Sequence, residues 1–341
     1  MSKAMKSGHK AGKGRAAGAE DALLRRIADS AWMGKNAGLR VGIGDDAALF
    51  APSAGYETVL TCDWFLEGVH FLREKHAAKA VGWKCLARAV SDIAAMGGAP
   101  RCFLLGLALP ESHTGAWLKE FLGGLRRASR RLGCTLAGGD TTRTAQILIH
   151  VTAVGEVRRG EGVLRAGARP GDTIFVSGAL GGAELGLRLL RSKRRGIRAN
   201  DPLLRRHLYP EPRLALGRWL AEKRLATAMM DISDGLSTDL ARLCAASGAG
   251  ARIAAGQIPL GAASAEAREL RVDALELALH GGEDYELLFT ARKGQEIPRA
   301  YRGVPLTAIG EITAKREIVL AGRDGKIAAL RAKGWDPFAR S

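Results

Sequence analysis

The sequence predicts an α/β (α+β) protein of two domains, on three observations. At 341 residues the chain exceeds what one core of ordinary size fills, so two units are expected, each burying its own core. Apolar strands and segments of helical period follow one another in both halves, which argues layered sandwiches of helices and sheets. A stretch rich in Gly and Arg, Arg158–Asp172 with Pro170 inside it, falls between the halves and marks the boundary. The domains are read as 19–157 and 158–341, behind a basic tail over 1–18.

The tail, Met1–Gly18, is built of Lys, Gly, Ala and Ser with almost no large apolar residue, and is read as disordered. Its GHKAGKG run is a poor echo of a phosphate-binding loop, because the glycines stand too close and no hydroxyl residue follows the lysine. Leu23, Leu24 and Ile27 predict a helix over Glu20–Trp32. Tyr56–Asp63 alternates as a strand, with Thr61 and Asp63 on one face and Cys62 on the other. A long helix is expected over His76–Met96, stopped by Gly97 and Gly98. Then come a buried strand (Cys102–Leu109), an amphipathic helix (Thr114–Leu132) and a strand (Ile147–Val157). The second half reads as a strand (Thr173–Ser177), a helix (Gly182–Leu190), a basic loop (Arg191–Asp201) and a helix after Pro212. A strand over Ala226–Ile232, a helix from Asp234, a single helix over Ala263–Leu279 and a strand over Tyr285–Ala291 follow. The remainder reads as strands and turns.

A formal net charge of +17 raises nucleic acid as a partner, but the basic residues are scattered over many helices instead of forming one stripe. Aromatics make up 5% of the chain, too few for a platform that stacks single-stranded bases. No nucleic-acid partner is expected. Five cysteines without a CxxC pair read as reduced thiols in apolar surroundings. With no apolar run near the ~18 residues that span a bilayer, and no apolar signal core, a cytoplasmic protein without a membrane partner is expected.

Against that basic background the acids gather in short turns bounded by Gly, Ser or Thr. They are GIGDDAA from Gly42, TCD (Thr61–Asp63), SDIAAMGG (Ser91–Gly98), GGDTT (Gly138–Thr142), DISDG (Asp231–Gly235) and GGEDYEL (Gly281–Leu287). Clustered carboxylates repel one another and are costly to desolvate unless a cation lies between them. Oxygen donors without nearby His or Cys suit hard ions, Mg²⁺ above all, and Mg²⁺ usually accompanies phosphate. Asp45 and Asp46 would repel a bare pyrophosphate, so GIGDDAA is no dinucleotide fingerprint. Asp92 stands near the apolar side of its helix with no evident Lys or Arg partner. In GGDTT the glycines are read as needed where the backbone approaches a ligand closely, with Asp140 projecting from a tight turn. Asp234 reads either as the N-cap of the following helix or as a ligand.

In order, GIGDDAA, TCDWFLEGVHF, SDIAAMGGAP, GGDTT, MDISDGLSTDL and GGEDYELLF resemble the thiamine-monophosphate kinase family. That family sits in a wider group with aminoimidazole ribonucleotide synthetase, selenophosphate synthetase and the hydrogenase-maturation dehydratase. The resemblance runs from about Ala22 to Phe338 and includes GWDPF near the end of the chain. It implies an aminoimidazole ribonucleotide synthetase-like fold, with an N-terminal domain that forms a homodimer and a C-terminal α/β sandwich. It implies transfer of the γ-phosphoryl of ATP, held by several Mg²⁺ ions, onto the phosphate of thiamine monophosphate to give thiamine diphosphate. Carried over by motif, Asp46, Thr61, Cys62, Asp63, Asp92, Asp140, Asp231 and Asp234 match the Mg²⁺ positions. Gly139, Asp140, Arg165 and Ser233 match the ATP contacts, and His70, Glu283 and Trp335 the contacts to the thiamine substrate. Cys62 departs from the family, which usually has a hydroxyl residue there; a thiol is a poor Mg²⁺ ligand, so a backbone carbonyl or a looser ion is implied. No covalent nucleophile or general base is implied. The alternatives are another ATP-dependent enzyme of the group and a basic nucleic-acid-binding protein that keeps the fold.

Overall fold

Two sheets, each with its own buried apolar cluster, organise the chain. The computed structural model describes residues 19–32, 34, 38–192, 201–261 and 263–338. The tail 1–18 and most of the loop expected over Arg191–Asp201 lie outside the described residues.

Helix α1 (Ala19–Ser30) and the short pair β1 (Leu39–Val41) and β2 (Leu49–Phe50) lead into the first sheet. Its elements are β3 (Tyr56–Leu66), α2 (Ala78–Ala95), β4 (Ala99–Leu109), α3 (Ala116–Leu132), β5 (Thr135–Arg143) and β6 (Leu148–Arg158). The strand order is β3-β6-β4-β5, with β4 and β5 parallel. Phe65, Phe103, Leu105 and Leu107 point from the strands onto Leu86, Val90 and Ile93 of α2 and Phe121 of α3. The alternation of β3 therefore decides sides. Thr61, Asp63 and Phe65 turn toward the helices, whereas Leu60, Cys62 and Trp64 turn to the open face.

The second sheet is assembled from β7 (Thr173–Ser177), α4 (Gly182–Arg191), α5 (Pro202–Leu208), α6 (Leu214–Glu222), β8 (Ala228–Ile232), α7 (Leu236–Ser247) and β9 (Gly250–Ala254). It continues with α8 (Ala263–Glu269), α9 (Ala274–His280), β10 (Glu286–Ala291), β11 (Ala300–Tyr301), β12 (Val304–Thr313), β13 (Ile318–Ala321) and β14 (Ile327–Ala329). The order is β14-β13-β9-β12-β7-β10-β8, with β11 on β12. Helix α7 packs over one face of this sheet, Leu236, Leu240 and Leu243 meeting Ile174, Met230 and Leu288.

Four expectations change. GGDTT is not a turn but part of β5, where Asp140 pairs with Gly106 of β4. Gly139 serves a close strand approach, since a Cβ there would sit 1.9 Å from the Leu105 carbonyl oxygen. The single helix over Ala263–Leu279 is two, α8 and α9, broken where Arg271 takes a left-handed φ of 54°. Helix α5 was not expected; Asp201 caps it, accepting from the Leu203 and Leu204 amides, with Pro202 in its first turn. The helix after DISDG begins at Leu236, and Asp234 does not cap it. Asp239 instead accepts from the amides of Asp234 and Gly235 at 3.0 and 3.1 Å, which leaves the Asp234 carboxylate free to point elsewhere.

Candidate active site

A cleft of about 300 Å³ opens where the end of α2, strand β3, the β8–α7 turn and the segment before β10 converge. Asp63, Asp92, Asp231 and Asp234 line it, as do His70, Glu283 and Trp335, together with Ser233 and Arg88. Eight of the residues singled out in the sequence thus share one wall-to-wall space, although they lie up to 272 positions apart (Asp63 to Trp335).

The acids are held by short side chains on rigid elements. Thr61 Oγ1 donates to Asp92, and Ser91 Oγ donates to Asp231 at 2.6 Å, joining α2 to β8. Asp231 is 3% exposed. Burial pushes its carboxyl well above the usual carboxylate range, and the neighbouring Asp92 pushes it further. Burial likewise raises Asp63 and Asp92; Arg88 opposes the rise at Asp63, and the Thr61 hydrogen bond opposes it at Asp92. Arg242 engages Asp234 from the solvent side. The donor set is all oxygen and carries like charges that resist desolvation, which fits a hard divalent cation. Among the described residues no three acids close into a finished metal cage, so other oxygens would have to complete any shell.

Two aromatic rings also line the cleft. The His70 and Trp335 rings lie 6.3 Å apart, centroid to centroid, and the His70 Nδ1 accepts from the Leu66 amide. Burial, then Arg88, lowers His70 to about 4, so the ring is neutral. Trp335 is carried by a C-terminal segment tied to the head of α7: its amide donates to the Asp234 carbonyl at 2.9 Å, and the Gly334 amide to Thr238 Oγ1. A Cβ at Gly334 would meet the same carbonyl oxygen at 2.0 Å, so the strap lies flat only on glycine.

The remaining residues singled out stand outside this lining. Asp46 occupies an exposed turn, its amide folded back onto Asp45. Gly139 and Asp140 are exposed on β5, and Arg165 is exposed in the stretch after β6, near enough to act electrostatically on Asp92. Cys62 is exposed on the far face of β3, so its thiol points away from Asp63 and only its backbone can meet an ion in the cleft.

Sequence reading missed the cations. Lys84 and Arg88 precede Asp92 by eight and four positions on α2 and so share its face. Asp92 itself has no Lys or Arg within ion-pairing distance among the described residues, and Arg165 and Arg88 act on it only electrostatically. Arg88 reaches toward Asp63 (4.0 Å) and Glu283 (3.7 Å), and its buried Nε has no hydrogen-bond partner.

The family described as AIR synthase related protein matches in its N-terminal domain over residues 44–157 and in its C-terminal domain over 169–322. The thiamine-monophosphate kinase of Escherichia coli (strain K12) is 38% identical over 308 residues, 88% of this chain and 93% of that protein. The Bacillus subtilis (strain 168) enzyme of the same description is 34% identical over 307 residues, 87% of this chain and 93% of that protein. The chain belongs to the thiamine-monophosphate kinase family. Two solved structures agree. The kinase from Stenotrophomonas maltophilia K279a is 38% identical with a TM-score of 0.77, covering 91% of this chain and 98% of that one. The structure of AaThiL complexed with AMPPCP and TMP is 35% identical with a TM-score of 0.76, covering 93% and 95%. Hydrogenase maturation protein HypE, at 18% identity and a TM-score of 0.71, shares the fold alone.

Proposed function

We propose that the chain transfers the γ-phosphoryl group of ATP directly, in line, onto the phosphate of thiamine monophosphate, giving thiamine diphosphate. The observation that carries this reading is one cleft lined both by aspartates from the two halves of the chain and by the His70–Trp335 ring pair. Its relatives, including one complexed with AMPPCP and TMP, support the choice of substrates.

Both reactants are anions, and phosphoryl transfer is chiefly positioning and charge neutralisation. Bound Mg²⁺ would supply that neutralisation, held by Asp63, Asp92, Asp231 and Asp234 with Thr61, Asp46, Asp140 and the Cys62 carbonyl as further donors. Gly139, Asp140, Arg165 and Ser233 would contact ATP. The acceptor phosphate is already ionised near neutral pH, so no side chain needs to abstract a proton. Neutral His70 and the Trp335 face would wall the cationic thiamine ring, with Glu283 balancing its charge.

The division into 19–157 and 158–341, the homodimer and the cytoplasmic setting belong to the same reading. Leu60 (68% exposed) and Trp64 (56%) on the open face of the first sheet support pairing of two copies there. Among the described residues no helix is long and apolar enough to cross a membrane.

Incubating the purified protein with ATP, Mg²⁺ and thiamine monophosphate tests the assignment, and absence of thiamine diphosphate would refute it. A sharper test uses Trp335→Ala. Loss of one stacking or cation–π contact of about 1–2 kcal/mol should raise the KM for thiamine monophosphate about five- to thirty-fold. The KM for ATP should stay nearly unchanged; the opposite pattern would remove Trp335 from the acceptor end.

A further inference from the structure

Lys84 is a lysine in a place that ordinarily excludes one: it is 1% exposed, within the apolar packing of α2. Its Nζ donates to Glu283 Oε2 at 2.8 Å. The same oxygen lies 3.3 Å from His207 Nδ1, and His207 on α5 is also 1% exposed. His207 Nε2 in turn lies 2.9 Å from His76 Nε2, and His76 Nδ1 lies 3.1 Å from the Leu72 amide.

One assignment of protons runs through these four contacts, and leaves the 3.3 Å approach of Lys84 Nζ to His207 Nδ1 and the 3.2 Å approach of His76 Nδ1 to the Leu72 carbonyl without a hydrogen bond. The Leu72 amide donates to His76 Nδ1, His76 Nε2–H donates to His207 Nε2, and His207 Nδ1–H donates to Glu283. Both rings are then neutral, in keeping with burial, which lowers His76 to about 3 and lowers His207 as well. Burial works against ionisation of Glu283, yet Lys84 first, then His207 and Arg88, hold it well below the usual carboxylate range. The backbone at Glu283 also needs holding. Its φ of 68° is left-handed, a conformation side-chain-bearing residues rarely adopt, and Gly281 and Gly282 precede it.

We propose that Lys84 and the His76–His207 pair are positioning residues that aim an ionised Glu283 at the cationic ring of the acceptor. The inference rests on the reading of Glu283 as a contact to thiamine monophosphate. A glutamate that must face a cation gains from being fixed and charged before the substrate arrives, because reorientation and desolvation then cost nothing on binding. The relay draws its donors from α2, the segment before it and α5, so both halves of the chain set the aim of one carboxylate.

A double-mutant comparison tests this on the full-length enzyme, using ATP and thiamine monophosphate as probes. Lys84→Met keeps the side-chain volume and removes the charge. It should raise the KM for thiamine monophosphate about tenfold or more, leaving the KM for ATP within about twofold. In a Glu283→Gln background, itself raised in KM, adding Lys84→Met should change KM by less than about twofold, because the lysine then has nothing to aim. His207→Phe, which keeps the lysine, carries the same comparison if Lys84→Met does not fold. If Glu283→Gln raises the KM but neither partner variant does, or if their effects multiply in full, positioning is overturned while the acceptor reading stands. If Glu283→Gln leaves the KM unmoved, the acceptor reading of Glu283 fails and the positioning inference fails with it.

Discussion

Replacing Asp63, Asp92 or Asp234 by Asn should lower kcat by about 100-fold or more while the fold persists. Asn keeps the shape of each side chain and its local hydrogen bonds but removes the charge that a cation needs. Stability should move the other way. Asp63 and Asp92 have carboxyls raised by burial, with each adding to the rise at the other or at Asp231. For an acid whose folded-state value lies above the unfolded one, the stabilising contribution is present in acid and lost as pH rises through the raised value. At neutral pH without divalent cations, these buried acids therefore oppose folding, and Asp92→Asn should melt a few degrees higher than the native chain. Mg²⁺ should raise the native melting temperature and have less effect on Asp92→Asn. Thermal scans with and without Mg²⁺, beside turnover assays, check both halves. Unchanged turnover in all three variants would end the multi-ion reading.

Arg213→Met should cost about 3–5 kcal/mol of stability. Arg213, at the start of α6, grips Glu286 with two nitrogens, Nε to Oε2 at 2.6 Å and Nη2 to Oε1. Glu286 opens β10, is 2% exposed, and also accepts from Ser177 Oγ at 2.6 Å. Without the arginine, a buried carboxylate keeps one hydroxyl and no countercharge. Converting the pair together, Arg213→Met with Glu286→Gln, should recover much of the loss, since no unpaired charge is then left inside. Urea denaturation of the single and double variants measures the difference. A single-variant loss below about 1 kcal/mol would show that water or another cation takes over.

Much of this site was legible in the chain, for a physical reason. Carboxylates beside glycine or hydroxyl residues in a basic sequence have few structural uses, so TCD, DISDG and GGEDYEL stand out in the chain itself. The periodicity of β3 correctly placed Thr61 and Asp63 together and Cys62 apart. What stayed hidden is long-range. Nothing local says that Lys84 meets Glu283, 199 positions later, although the Lys84, Arg88 and Asp92 spacing does set all three on one helix face. Gly138 and Gly139 misled in the opposite direction. Glycine pairs usually mark turns, but here the pair lies within a strand and Gly139 lets its parallel neighbour come close, which only that neighbour reveals. The split between α8 and α9 was equally silent, because Arg271 carries no mark of its left-handed backbone.

The outward turn of Cys62 has a practical side. Cys85, Cys102, Cys134 and Cys244 are buried, and burial pushes Cys85 up to about 12, Cys102 and Cys244 to about 11, and Cys134 well above its ordinary value. Thiolates are the reactive form, so these four are shielded twice over. A maleimide dye added to the native enzyme would therefore settle on Cys62, with no engineered cysteine needed. There it stands one residue from an acid of the cleft yet on the opposite side of the strand, among Leu60 and Trp64. The probe would report from the bare side of the sheet without touching the reaction, and its rate of attachment would read whether a second copy covers that side.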